Sequence, residues 1–191
     1  MKTPFFTRKG DTGESSVGNT KVAKSSQGLI LLGSLDECNS VIGLARSFTL
    51  PLAEVLPEME ILHDSLLRTQ ELLFIVQAEI AAKIFPPKQA NTKIITDKHV
   101  SEVEQVIESF DEVIPQITHF IIPGESTISA QIDVARTISR RVEREALLFS
   151  EEYLLSDSLK AFLNRLSSLL FALARYSNVI QNRQEHGPNY S

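Results

Sequence analysis

An uninterrupted helical pattern in residues 58–85 constrains the fold more than any other feature. The segment contains no glycine or proline, and Pro86 and Pro87 follow it directly. Proline lacks the backbone N–H that a helix interior requires, so this pair ends the helix. Apolar side chains recur along the segment at helical spacing, at Ile61, Leu62, Leu66, Leu67, Leu72, Leu73, Ile75 and Val76. A helix with such a stripe has to be covered by other elements of the fold.

Further segments carry apolar residues at a similar spacing. They cover residues 33–48, 96–110, 126–150 and 156–182. Each begins with a hydroxyl-bearing residue that can cap a helix N-terminus, such as Ser34 in the first and Thr96 in the second. No strand is convincing, and the nearest approach to one is the run at 119–124.

These patterns predict an all-α fold, a five-helix bundle that forms a single domain over residues 1–191. We expect residues 1–30 to form an extended N-terminal loop and residues 31–180 to form the bundle. Residues 181–191 are expected to be a frayed tail. No internal repeat divides the chain further.

Charge and composition exclude several classes of function. A formal net charge of −5 argues against general nucleic-acid binding. The single cysteine, Cys38, excludes an intramolecular disulfide and a multi-cysteine metal site, and the scattered histidines argue against structural zinc. No run approaches ~18 consecutive apolar residues, and the N-terminus lacks a secretory-signal pattern. We therefore expect a cytoplasmic protein without nucleic-acid or membrane partners.

The N-terminal stretch TRKGDTGESSVGNTKVAK, residues 7–24, has almost no large apolar side chain. It can present backbone N–H groups, hydroxyls and ammonium groups together, a combination that suits a triphosphate. It lacks the residue order of a Walker A loop. A disordered tail is the alternative for a segment of this composition.

The fourth predicted helix carries three arginines at four-residue spacing, Arg136, Arg140 and Arg144, with Glu143 beside them. Guanidinium groups on one face repel each other unless an anion lies opposite. The residues alone leave two interpretations open. One is a solvated or ion-paired helix face, and the other is a site that binds a polyanion.

The last predicted helix places four notable side chains on one face, Asn164, Ser168, Phe171 and Arg175. Asparagine in the middle of a helix costs some helix propensity, which indicates a specific role. The residues alone favour an interhelical hydrogen bond at Asn164.

Five motifs in fixed order now carry a resemblance: TRKGDTGESS followed by Lys24, GSLDECNSVIGLARS, FIIPGES, ARTISRRVER and LNRLSSLLFALARYSN. Together they resemble the ATP:cob(I)alamin adenosyltransferases of the propanediol-utilisation type, a family that includes the human mitochondrial enzyme. The similarity runs from Thr7 to about Asn178. It implies a homotrimer with active sites at the subunit interfaces, where the N-terminal loop of one subunit meets the helical arginines of its neighbour.

The resemblance also implies roles for individual residues. The loop residues that would bind the nucleotide and its triphosphate are Thr7, Arg8, Lys9, Gly10, Ser15, Ser16 and Lys24. The helical residues of the ATP site would be Arg140, Arg141, Glu143, Arg144 and Asn164. The residues against the corrin would be Phe120, Phe171 and Ser168. Arg136 would pair with Asp36 across the interface, and Arg140, Lys24 and Phe120 would contribute most directly to catalysis.

The implied reaction transfers the 5′-deoxyadenosyl group from ATP to the reduced cobalt of cob(I)alamin, giving adenosylcobalamin and triphosphate. ATP and cobalamin are the substrates, magnesium would bind through the ATP phosphates, and an adenosylcobalamin-dependent enzyme would receive the product. Because cobalt is the nucleophile, no protein nucleophile or general base is required, which agrees with the absence of a Ser/His/Asp or Cys/His signature.

The chain departs from the family pattern at several positions. Ser168 stands where the family commonly has aspartate, Glu125 replaces a glycine, and Cys38 replaces leucine. The serine keeps a second interpretation open, a non-catalytic carrier or chaperone that binds nucleotide or cobalamin on the same bundle.

Overall fold

The computed structural model describes residues 6, 8, 10–17, 20–86 and 92–190. Within those residues the chain forms a short β-hairpin, five long helices and one four-residue helix. The elements in chain order are β1 (Glu14–Val17), β2 (Thr20–Ala23), α1 (Gln27–Ser47), α2 (Leu50–Ala53), α3 (Glu58–Ile84), α4 (Asp97–Asp111), α5 (Thr127–Phe149) and α6 (Asp157–Ile180). The predicted helical bundle is thus confirmed, with a small sheet added to it.

The bundle is organised around α1, α5 and α6, with α5 packed between the other two. On its outer sides, α3 packs mainly on α1 and α4 packs on α6. The core is formed by the apolar stripes of these helices, including Leu35 of α1, Leu66 of α3, Val142 of α5 and Leu166 of α6, all fully buried. Burial of these stripes stabilises the helices and fixes which faces α5 and α6 present to solvent.

Hydroxyl caps begin the helices much as the sequence predicted, except at α1. Thr96 caps α4, Ser126 accepts a hydrogen bond from the N–H of Ser129 at 3.1 Å, and Ser156 accepts one from the N–H of Leu159 at 3.2 Å. The predicted cap of α1 at Ser34 is wrong, because α1 begins at Gln27 and Ser34 is buried inside it.

Glycine explains the missed start of α1. Gly28 lies in the first turn, and a Cβ there would come within 2.6 Å of Ile84 Cδ1. Glycine in a helix interior costs about 1 kcal/mol relative to alanine, so in the sequence it resembles a helix boundary. Here it permits close packing between the start of α1 and the end of α3.

The predicted N-terminal loop instead contains the hairpin, which the sequence analysis missed. Strands β1 and β2 pair antiparallel, with Glu14 opposite Ala23 and Val17 opposite Thr20. The base is closed by Lys24, whose N–H donates to the Gly13 carbonyl at 2.9 Å and whose Nζ donates to the Gly10 carbonyl at 2.8 Å. Strands of four mostly polar residues carry too little apolar alternation to be detected from sequence.

The tail after α6, for which fraying is predicted from the sequence, contacts the rest of the protein, in part through His186. The N–H of Ile122 donates to the His186 carbonyl at 2.9 Å, and His186 Nδ1 lies 3.1 Å from Glu125 Oε1. These contacts hold the tail against the segment between α4 and α5, and the run at 119–124 forms no strand.

One stretch, Gln27–Ala53, is long and apolar enough to span a membrane by length and composition alone. Buried core helices satisfy the same criterion, and α1 contributes Leu31, Leu35 and Ile42 to the core. Cys38, also on α1, is fully buried, and burial raises the pKa of its thiol to about 12. Cys38 is therefore a small core residue whose thiol stays protonated at neutral pH.

Candidate functional site: a cleft between α4, α5 and α6

A cleft of about 330 Å³ opens where α4, α5 and α6 meet. Its polar and aromatic lining includes Arg136 and Arg140 of α5 and Ser168, Phe171 and Arg175 of α6. We call this the arginine cleft. The structure therefore brings residues from two separately predicted helix faces into one concave site.

A buried ion network forms the floor of the arginine cleft. Asp133 bridges two guanidinium groups, since its Oδ1 accepts from Arg136 Nε at 2.8 Å and its Oδ2 accepts from Arg175 Nη2 at 2.6 Å. The side chains of Asp133 and Arg175 are only 4 % and 2 % exposed. A buried carboxylate between two arginines fixes both of them in position.

The ring of Phe171 lies beneath the two arginines of this network. The guanidinium carbon of Arg175 is 4.8 Å from the ring centroid and that of Arg136 is 5.9 Å from it. Both distances lie within the range of cation–π attraction. The ring is therefore held at the cleft wall by charged neighbours that are themselves fixed by Asp133.

Arg140 differs from these two arginines because nothing in the described part of the chain neutralises it. It lies at the cleft, is exposed, and forms no ion pair with any described residue. Asp111, at the end of α4, is the one acidic side chain among the described residues that line the cleft. The cleft mouth consequently offers an unpaired guanidinium to an anion.

Asn164 and Glu143 meet beside this region, between α5 and α6. Asn164 Nδ2 donates to Glu143 Oε1 at 2.8 Å, and Asn164 Oδ1 accepts from Arg165 Nη1 at 2.9 Å. Both residues line a second cleft of about 300 Å³, which also contains Leu147 and Lys160. The interhelical hydrogen bond expected at Asn164 is confirmed, and the polar pair borders an apolar pocket.

The remaining predicted residues lie outside both clefts of the same chain. Arg141 forms an ion pair with Glu37 of α1, and Arg144 is exposed without a partner among the described residues. Asp36 is exposed on α1, and the ring of Phe120 is 80 % exposed. The predicted residues of the N-terminal segment that the structure describes lie in or beside the hairpin, and they are Arg8, Gly10, Ser15, Ser16 and Lys24. Thr7 and Lys9 lie outside the described residues.

A larger groove of about 790 Å³ runs along the outer face of α3, between Val17 of the hairpin and Phe74, Phe85 and Lys93. None of the predicted site residues lines it.

The sequence analysis did not identify Asp133 or Glu185, although both contact Arg175. For Asp133, the available signal was a carboxylate three residues before Arg136 on the same helix.

A family model described as "Cobalamin adenosyltransferase" matches residues 5–177 of this sequence. The chain belongs to the cobalamin adenosyltransferase family. The corrinoid adenosyltransferase of Mycobacterium leprae is 33 % identical over 183 residues, covering 92 % of both chains. That of Bacillus subtilis is 35 % identical over 178 residues, covering 91 % of this chain and 86 % of the relative.

Solved structures of the same family share the fold. A variant PduO-type ATP:corrinoid adenosyltransferase from Lactobacillus reuteri, complexed with cobalamin and ATP, superposes with a TM-score of 0.84 at 27 % identity. The match covers 95 % of this chain and 97 % of that one. A second variant, complexed with ATP, gives a TM-score of 0.82 over 97 % and 100 % of the two chains, also at 27 % identity.

Two of the departures from the family pattern are explained by contacts in the structure. Cys38 fills a core position with a small apolar side chain, and its Sγ donates only a weak contact of 3.6 Å to the Ala135 carbonyl. Glu125 contacts His186 of the tail. Ser168 remains the departure that lies in the arginine cleft itself.

Proposed function

We propose that this protein transfers the 5′-deoxyadenosyl group of ATP to the reduced cobalt of cobalamin, producing adenosylcobalamin and triphosphate. The observation that carries the proposal is the arginine cleft, in which unpaired Arg140 and the Phe171 ring lie together on a fold shared with PduO-type enzymes. A cationic mouth beside an aromatic wall suits a polyanionic leaving group next to a large planar cofactor.

The reaction needs positioning more than acid–base chemistry. The electron pair of cob(I)alamin attacks the ribose C5′, the cobalt–carbon bond forms, and the bond from C5′ to the triphosphate oxygen breaks with its electrons on triphosphate. The protein has to hold the two substrates in line and stabilise the negative charge that develops on the leaving group. Both tasks are suited to a rigid helical frame that carries fixed cations.

The ATP side is assigned to α5, α6 and the hairpin. Arg140 and Arg144 neutralise the triphosphate, and Glu143 and Asn164 bind the nucleoside beside the second cleft, with Arg141 contributing from the same turn. The hairpin and the described residues beside it supply Arg8, Gly10, Ser15, Ser16 and Lys24. Thr7 and Lys9, which lie outside the described residues, are assigned to the same site. The described residues contain no group of three or more His, Cys, Asp or Glu side chains placed to hold a metal ion. Magnesium is assigned to the ATP phosphates, because this ion usually keeps several waters and binds through substrate phosphates in such sites.

The corrinoid side is assigned to Phe171, Ser168 and Phe120. Phe171 and Ser168 share the arginine cleft. The exposed ring of Phe120 is available to cover the lower axial side of cobalt. An apolar ring there excludes water and the cofactor's own base, which makes the cobalt easier to reduce.

We propose a homotrimer because the described N-terminal residues assigned to ATP line neither of the two clefts of their own chain. Asp36 is exposed and has no partner among the described residues, whereas Arg136 uses only Nε to bind Asp133. The terminal nitrogens of Arg136 are thus available to an Asp36 of a neighbouring subunit. Light scattering should give the mass of three chains, and a double-mutant cycle of Asp36→Asn and Arg136→Ala should be non-additive in turnover. A monomer, or full additivity, would contradict this pairing.

The activity is tested directly by mixing the protein with ATP, magnesium and chemically reduced cobalamin and measuring adenosylcobalamin and triphosphate. We expect both products in equal amounts and in many turnovers. A carrier without catalytic activity would bind cobalamin or ATP and form neither product, so this single assay separates the enzyme from the alternative.

Ser168→Asp is expected to lower the KM for cobalamin by about tenfold, because an added charged hydrogen-bond acceptor contributes on the order of 1.5–3 kcal/mol. The KM for ATP should change little. Ser168 is exposed in the cleft, so the melting temperature should also be retained. Ser168→Ala is the matched control, since it alters the hydroxyl without adding charge. A loss of stability with unchanged kinetics would instead assign Ser168 to the bundle core.

A further inference from the structure

The C-terminal tail reaches the floor of the arginine cleft through one carboxylate. Glu185 Oε1 lies 2.6 Å from Nε of the buried Arg175, an ion pair in which the N–H is not aligned as in a hydrogen bond. The same oxygen accepts from Asn178 Nδ2 at 2.6 Å. The side chain of Glu185 is 19 % exposed. A residue outside the bundle thus completes a charged network inside it.

Charge balance shows why this contact is significant. The network contains two positive charges, on the guanidinium groups of Arg136 and Arg175. Asp133 lies between them and supplies one negative charge. Glu185 supplies the second. A buried guanidinium that loses one of its counter-charges is destabilised or moves toward the remaining carboxylate. Because Asp133 also holds Arg136, such a movement would be transmitted to both arginines over the Phe171 ring.

The tail also holds the segment that carries Phe120. The His186 carbonyl accepts from the N–H of Ile122, and His186 lies beside Glu125. Gly187 permits this close packing, because a Cβ at that position would come within 2.7 Å of His119 Cδ2. Adjacent tail residues therefore contact Arg175, which lies over the Phe171 ring, and the segment that carries Phe120.

We infer that Glu185 is a positioning residue for the corrinoid side of the site. It acts through Arg175 and Asp133 on Phe171 and Arg136, while the neighbouring His186 fixes the Phe120 segment. This inference rests on the proposed function, because it assumes that Phe171 and Phe120 contact cobalamin. The ATP-binding groups Arg140, Glu143 and Asn164 make no contact with Glu185, so the effect should be confined to one substrate.

The test is Glu185→Gln, which preserves the shape of the side chain and an oxygen that can accept from Asn178 but removes the charge. We expect the KM for cobalamin to rise by about tenfold, since small displacements of a positioning group are costly. The KM for ATP should stay within about twofold of the original value. The control is Glu151→Gln, at an exposed glutamate in the turn before α6, which should match the original protein in both constants.

The outcomes separate the two proposals. An unaltered protein that forms no adenosylcobalamin would overturn the proposed function. If the unaltered protein is active and Glu185→Gln leaves the cobalamin constant unchanged, the positioning role is wrong. A lower melting temperature with both Michaelis constants unchanged, or raised equally, would likewise overturn it, because it would reduce Glu185 to a structural residue.

Discussion

Replacing Arg140 with alanine is expected to lower kcat by roughly 10²–10³-fold, equivalent to about 2.7–4 kcal/mol of transition-state stabilisation. Arg140 is the cleft arginine without a counter-charge among the described residues, so its positive charge is available to the leaving triphosphate. Its side chain contributes no core packing. The melting temperature and the oligomeric state should therefore be retained while turnover is lost.

The control for Arg140→Ala is Arg68→Ala on α3. Arg68 donates from Nε to Glu102 at 2.6 Å and is 42 % exposed, so its charge is already paired near the surface. We expect turnover of this control close to that of the original protein. Steady-state kinetics on both variants decide the assignment, and near-normal turnover of Arg140→Ala would show that Arg140 does not face the triphosphate.

Asp133→Asn is expected to lower the free energy of unfolding by about 3–5 kcal/mol, because it leaves two arginines without their shared carboxylate. Asp133 contacts Arg136 and the 2 % exposed Arg175, and water cannot replace the lost charge at such a site. An asparagine oxygen can still accept one hydrogen bond, which keeps the loss below that of a larger truncation. For a chain of this size, the midpoint of thermal unfolding should fall by roughly 10 °C.

Asp64→Asn serves as the control for Asp133→Asn, since it makes the same chemical change at an exposed position on α3. Surface substitutions of this kind usually alter stability by less than about 0.5 kcal/mol. Thermal and urea unfolding should be compared at one protein concentration, because oligomers unfold in a concentration-dependent way. Equal stability of the two variants would mean that the buried network contributes nothing to the fold.

The sequence-based predictions that agree best with the structure concern the long helices and their caps. The 58–85 pattern corresponds to α3, Glu58–Ile84, and Thr96, Ser126 and Ser156 cap helices as expected. These features depend on neighbours within one or two turns, so their signal lies in the local sequence. The start of α1 at Gln27 and the hairpin were missed. Gly28 is tolerated only because of packing against α3, and the hairpin is too short and polar to have a distinct pattern.

For the candidate site too, some features could be predicted from the local sequence and others depended on how the helices pack. The four-residue spacing of Arg136 and Arg140 and the shared face of Ser168 and Phe171 were evident from helical periodicity, and the order of motifs indicated the family. The sequence could not show which faces of α5 and α6 meet.

Only the tertiary structure decided that Asp133 neutralises an arginine 42 residues away and that Glu185 reaches back from the tail to the same guanidinium. Ion pairs of this kind follow from the distance and burial that packing creates. Charge and spacing along the chain do not specify them, because any of several carboxylates could have filled either position.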